Sequence, residues 1–164
     1  MTIMDFGKVS TLKGIDFDLP PDHELTDQLF ERLKPDIEPP RVYVGCAKWG
    51  REDWLGLLYP KGTKTRDFLS HYVKHFNAIE LNAMFYHLQP KKVIESWAAK
   101  ADDDFRFCPK FSNTISHVHQ LENAGGETDR FIDHMHSFGN TLGYSFLQLS
   151  EAFDVNRAGV IGDY

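Results

Sequence analysis

The sequence predicts an α/β fold, the N-terminal half of a TIM-like (β/α) barrel with parallel strands, plus an N-terminal arm. Three observations predict it. Short apolar strand patterns alternate with helical ones after residue 40, the order expected of parallel strands joined by right-handed crossovers. In one strand pattern Ile79, Leu81 and Ala83 alternate with Glu80 and Asn82, so one face is apolar and the other suits a polar barrel lumen. The chain has 164 residues and four such strand patterns, whereas a complete eight-unit barrel takes about 250 residues.

Residues 1–40 form the expected arm and 41–164 the partial barrel. In the arm, Pro20 and Pro21 hold the backbone extended, because each proline fixes φ and disfavours helix in the residue before it. Asp22 is a candidate cap for a short helix carrying Leu25, Leu29 and Leu33 on one stripe. Pro35 stops that helix, and Pro39-Pro40 stiffens the entry to the first strand. The arm is expected to pack across the barrel surface and to carry no chemistry.

Strand one is expected at Val42–Ala47, followed by a long loop through Tyr59-Pro60-Lys61-Gly62. Phe68, Leu69, Tyr72, Val73 and Phe76 then recur at helical spacing over Thr65–Phe76. Strand two follows. A second helix runs from Pro90 to Ala101 around Val93, Ile94 and Trp97, with proline tolerated in the first turn. Strand three is Phe105–Lys110. A third helix spans Thr128–Phe138, with Thr128 a candidate cap, and Gly139 and Gly143 bracket its end. Strand four is Tyr144–Leu149. Asn156 is a candidate cap for a last helical stripe of Ala158, Val160, Ile161 and Tyr164. The stripe meets the chain end without a C-cap, so truncation within a fourth helix is the expectation.

Composition narrows the function classes. A net charge of -6 and a pI of about 5.7 give no single-sign basic footprint, so no nucleic-acid partner is expected. No apolar run approaches the ~18 residues of a bilayer span, and the first ten residues lack a secretory pattern, so no membrane partner is expected. Cys46 and Cys108 have no metal-ligand spacing; they read as reduced core thiols of a cytoplasmic protein. No glycine-rich dinucleotide turn follows strand one, and Lys61-Gly62-Thr63-Lys64-Thr65 lacks the glycine spacing of a phosphate loop.

The run Val44-Gly45-Cys46-Ala47-Lys48-Trp49 and the stretch from Phe76 to Tyr86 resemble the YecE-like family, domain of unknown function 72. The resemblance continues through Tyr59-Pro60, Trp97, Phe105–Lys110, Ile115-Ser116-His117 and Leu142–Leu149, and covers about residues 42–153. It implies a TIM-like barrel without an established activity. The family often has Ser or Thr where this chain has Cys46, and usually Pro where it has Ser150. It also implies four further strands beyond those read here.

Strand alternation places Glu80, Asn82, Arg106, Lys110 and Gln148 toward the lumen, with Cys108 between Arg106 and Lys110. Glu80 is expected to pair with Arg106 or Lys110, since a buried unpaired charge costs several kcal/mol, roughly. Lys110, His117 and Glu80 are the candidate catalytic residues. Lys110 suits an anionic group or an electrophilic role, and His117 acid–base work or a loop-fixing hydrogen bond. Glu80 suits acid–base work if burial raises its pKa, or else a packing network with Arg106. Trp49, Asn82, Tyr86 and Gln148 are the candidate substrate-binding residues, placed at the C-terminal face where such barrels hold their sites. Two histidine pairs, His117/His119 and His134/His136, and the helical pair His71/His75 lack the glutamate of a zinc motif; no metal ligands are assigned.

These residues point to a small polar or anionic ligand without naming a reaction or cofactor. A metal-dependent phosphodiesterase or sugar isomerase is the alternative by fold analogy. A non-catalytic binding protein or inactive fragment is the other. Open strand edges predict self-association if these residues are all that is present.

Overall fold

A computed structural model of the chain describes residues 11, 13, 14, 16, 18, 21–32 and 40–164. The chain divides into two compact units, Met1–Pro40 and Arg41–Tyr164. In the first unit helix α1 spans Glu24–Arg32. Its entry differs from the expected cap. His23, not Asp22, accepts the early amides: Leu25 N–H donates to its Nδ1 at 3.1 Å and Thr26 N–H to its carbonyl at 2.7 Å. An acceptor directly before the first turn reaches those unpaired amides, and Asp22 lies one residue too far back. Phe17, Leu19, Pro20, Leu33, Pro35 and Pro39 lie outside the described residues.

The second unit is built on a parallel sheet in sequential order: β1 (Gly45–Cys46), β2 (Ala78–Leu81) and β3 (Arg106–Pro109). Helices α2 (Phe68–Tyr72) and α4 (Lys91–Ala98) are the crossovers between them, and α5 (Gly125–Met135) follows β3. A single turn, α3 (Ala83–Tyr86), leaves the end of β2. Consecutive parallel strands with a helix after each form part of a β/α barrel. The predicted alternation holds along β2 and β3 but stops at Leu81: Ala83, expected on the apolar face, is exposed and starts α3, whose helical turn ends the period of two. Ile79, Leu81, Phe105, Phe107 and Pro109 are buried, while Glu80 is exposed and Arg106, Cys108 and Lys110 are half-buried. The core lies on the buried side, where Phe107 stacks on Phe138 and Phe105 meets Tyr72 edge-on.

Strand one is shorter than expected, two residues rather than six. The Asn77 side chain occupies its flank: Oδ1 accepts from Val44 N–H at 2.7 Å and Nδ2 donates to the Val42 carbonyl at 2.9 Å. Those backbone groups are satisfied by an amide side chain, so they do not continue the ladder. Strand four does not form as a continuous strand. Leu142 and Phe146 make isolated parallel bridges to Phe107 and Lys110. Between them the pairing is irregular: Gly143 N–H donates to the Phe107 carbonyl at 2.7 Å, and Phe146 N–H, three residues on, to the Pro109 carbonyl at 3.1 Å.

Two further caps differ. Helix α5 begins at Gly125, so Thr128 lies inside its first turn, with Oγ1 donating back to the Ala124 carbonyl at 2.9 Å. Asp154, not Asn156, opens the last helical segment: its extended backbone lets Oδ1 accept from Asn156 N–H at 3.0 Å. A 3-10 turn (Val155–Arg157) then leads into α6 (Ala158–Asp163). The side chain that accepts at a helix start belongs to the residue outside the turn, and Asn156 is already inside it.

Candidate functional site

The sheet face opposite the core carries the polar side chains, and β3 and the segment after it bring Lys110 and Gln148 together. Lys110 follows the last residue of β3; its N–H donates to the Leu81 carbonyl at 3.2 Å, which holds the strand end in register. Its Nζ donates to Gln148 Oε1 at 2.5 Å. The same ammonium lies 4.4 Å from the centre of the Phe85 ring and 5.9 Å from that of Phe146. Two ring faces and one amide oxygen therefore surround it, all neutral. Cation–π contact and a charge-assisted hydrogen bond both hold the ammonium in place.

The expected pairing of Glu80 with Arg106 or Lys110 does not occur. Glu80 Oε1 instead accepts from Asn82 Nδ2 at 3.0 Å. Arg106 donates to the carbonyls of Asp103, at 2.6 Å, and Phe105, at 2.8 Å, and covers the Tyr43 ring. Register explains the change. Glu80 lies directly opposite Cys108, so Arg106 and Lys110 flank that position two residues away along the strand. Glu80 is also exposed, so the desolvation cost that would demand a counter-ion is not incurred.

His117 stands in a π-helical turn, Thr114–Val118, in the loop after β3. Such turns are rare and recur at functional positions. Its ring meets Phe85 edge-on at 5.0 Å, and its Nδ1 lies 2.9 Å from Ser116 Oγ. Phe85 thus touches Lys110 from one partner and His117 from another. The backbone beyond this turn is strained: Gln120, Leu121 and Asn123 have φ of 49°, 70° and 54°, a region that non-glycine residues seldom occupy.

The remaining candidates divide among separate places. Asn82 and Trp49 line one small cavity of about 110 Å³ with Ala47 and Leu81. Trp49 also packs edge-on against Trp97 of α4, at 5.2 Å, so its ring serves the helix layer as well. Tyr86 lines a different cleft of about 230 Å³ with Ser112, Asn113, Glu127 and Arg130. A hollow of about 410 Å³ lies on the open sheet face between Tyr43, Arg106, Cys108 and Tyr144. Burial pushes the Cys108 thiol up, opposed by the Tyr144 amide. The structure therefore brings Lys110 and His117 against Phe85, joins Gln148 to Lys110 and Glu80 to Asn82, and leaves Trp49 and Tyr86 in separate hollows.

Among the described residues no three His, Cys, Asp or Glu side chains converge as a metal-holding group. His75 Nε2 and His134 Nδ1 contact the backbone carbonyls of Leu58 and Gln89, each at 2.9 Å. Phe85 and Phe146 are the site residues that residue-by-residue reading of charge and amide passed over as partners of Lys110. Their sequence signal was position alone, one turn past β2 and on the lumen side of the fourth segment.

The family model described as "Protein of unknown function DUF72" matches residues 43–162. The UPF0759 protein YecE of Escherichia coli (strain K12) is 33% identical over 112 residues, covering 68% of this chain and 39% of that protein. The UPF0759 protein YunF of Bacillus subtilis (strain 168) is 35% identical over 69 residues, covering 42% of this chain and 23% of that protein. The match thus spans less than half the length of these curated relatives. A crystal structure of a DUF72 family protein from Enterococcus faecalis V583 shares the fold, with a TM-score of 0.58 and 21% identity over 74% of this chain and 45% of that one. A second crystal structure of that protein gives 0.50, 22%, 62% and 43%.

Proposed function

The chain belongs to the DUF72 family, and from that premise we propose that the C-terminal end of its sheet binds or transforms a small polar or anionic molecule. One observation carries this reading. Lys110 is half-buried at the end of β3 and, among the described residues, has no acidic partner. Its contacts are Gln148, Phe85 and Phe146, which orient the ammonium but leave its charge uncompensated. In a partly desolvated site an anion that replaces water there gains more than it would in bulk solvent.

In this reading Lys110 holds the anionic group and Gln148 sets the direction of its ammonium. His117 and Glu80 are the titratable groups at the same face that are available for proton transfer. Asn82 holds Glu80, while Trp49 and Tyr86 line separate hollows and take no part in holding this anion. The two free cysteines fit a reducing, cytoplasmic setting. Among the described residues no helix is long and apolar enough to cross a membrane.

The test is calorimetry on the full chain with inorganic phosphate, sulfate and citrate. At least one probe should bind with a Kd of about a millimolar or below. Lys110→Met, which keeps the length of the side chain and removes its charge, should weaken that binding by roughly tenfold or more, the scale of a charge-assisted hydrogen bond. Equal binding by the variant would refute the role of Lys110; no binding of any anion would refute the reading itself.

A further inference from the structure

The hydrogen bonds around Ser116 settle the proton position on His117. Ser116 is fully buried, and its Oγ lies 3.0 Å from the Ser112 carbonyl oxygen and 2.9 Å from His117 Nδ1. A hydroxyl has one proton, and a carbonyl oxygen can only accept. Two oxygens at that separation with no proton between them would present lone pairs to each other. The Ser112 carbonyl also takes the N–H groups of Ile115 and Ser116, each at 3.1 Å, so it is already the local acceptor. The hydroxyl proton therefore points to Ser112. Ser116 Oγ then faces His117 with a lone pair, and the group that meets it is Nδ1–H.

From this geometry we propose that Ser116 is a positioning residue. It holds neutral His117 in the Nδ1–H form, so that Nε2 presents a lone pair beside the Phe85 ring. Nε2 has no hydrogen-bond partner among the described residues. It is then a proton acceptor next to Phe85, whose ring also lies against the ammonium of Lys110. A single ligand served by both groups carries an anionic group for Lys110 and a hydroxyl that donates to Nε2: a small hydroxylated anion. This substrate class rests on the anion reading above; the proton position on His117 does not. Should chemistry follow, the hydroxyl proton passes to Nε2 and its electron pair stays on the ligand oxygen, so the step balances without a further reactant.

The π-turn explains why the contact exists. Ser112 and Ser116 stand four residues apart, so the Ser116 hydroxyl folds back to that carbonyl. His117, the next residue in the π-turn, meets that hydroxyl oxygen through Nδ1.

Nitrogen-15 spectroscopy of the full chain, labelled at histidine and recorded with the imidazoles neutral, reads the tautomer directly. The resonance of His117, assigned by its loss in His117→Phe, should show a protonated Nδ1 and a bare Nε2. In Ser116→Ala the Nε2–H form, which predominates in free histidine, should appear. A wild-type spectrum with Nε2 protonated, or one unchanged by Ser116→Ala, would overturn the proposal. If that variant fails to fold, the wild-type spectrum decides by itself.

The ligand class is tested with glycolate against acetate, which share a carboxylate and differ in a hydroxyl. Glycolate should bind the wild type roughly tenfold more tightly, the size of one hydrogen bond made on binding. His117→Phe should erase that preference, while Lys110→Met weakens both probes alike. Equal binding of the two by the wild type overturns the ligand class and leaves the anion reading standing. Binding of neither overturns the ligand class, while phosphate, sulfate and citrate decide the anion reading, and the tautomer result stands apart from either.

Discussion

The hydroxyl of Tyr72 sits in the seam between the first two strands. It accepts from Cys46 N–H at 2.6 Å and donates to the Ala78 carbonyl at 2.9 Å, with the ring fully buried. Tyr72→Phe leaves a strand amide and a carbonyl short of a partner, and should cost about 1–3 kcal/mol in urea unfolding. Tyr59 is buried as well, its hydroxyl donating to the Trp49 carbonyl at 2.8 Å. Burial pushes both phenols up to about 12, against about 10 in an unfolded chain. The folded state therefore prefers them neutral. That contribution is complete below pH ~10 and is lost as pH rises through ~12. The urea midpoint should fall across that window, and Tyr72→Phe should fall less steeply there than the wild type. Parallel profiles would show that Tyr72 is not part of the effect. A helical stripe reveals that Tyr72 is buried, but not that its hydroxyl crosses between strands. That contact joins residues 26 apart in the chain.

Elements approach one another closely at two glycines. A methyl group on Gly143 would lie 2.8 Å from Cys108 Sγ and 3.0 Å from the Phe107 carbonyl oxygen. On Gly45 it would lie 1.9 Å from the Ala78 carbonyl oxygen. Gly143→Ala should push the 142–146 segment off β3 at a cost of about 1–3 kcal/mol. Because that segment leads directly to Gln148, the variant should also weaken anion binding although Gly143 touches no ligand group. Calorimetry of a folded Gly143→Ala chain checks this, and unaltered affinity would separate the segment from the site. Element type was legible from periodicity: strand three stands within one residue of its expected limits and the helix around Ile94 within three. Element edges were less so. The caps expected at Asp22 and Asn156 fell to His23 and Asp154, because several nearby polar residues can make the same local bond, and α5 starts before Thr128 with no side-chain cap. The fourth strand was read from alternation, which does not reveal that only Leu142 and Phe146 would bridge to β3.

At the scale of the second unit, the sheet has open margins. Val42, Val44 and Tyr144 are exposed at 68%, 57% and 93%, beside β1 at one margin and in the outermost segment at the other. Exposed apolar residues next to unpaired backbone favour pairing with another chain. We therefore expect the isolated 164-residue chain to self-associate, with a sedimentation coefficient that rises with concentration; a monomer throughout the range would refute this. Alternating polarity by itself determined that Glu80, Arg106, Lys110 and Gln148 would share one face and that the core would lie behind them, because side-chain direction in a strand has a period of two whatever the neighbours do. Partner choice on that face was decided only by tertiary structure. Register put Cys108 opposite Glu80, one turn after β2 put Phe85 beneath Lys110, and the bridged fourth segment carried Gln148 to it. Which charges and rings meet depends on distances of a few ångströms between segments far apart in the chain, and no local pattern of residues encodes them.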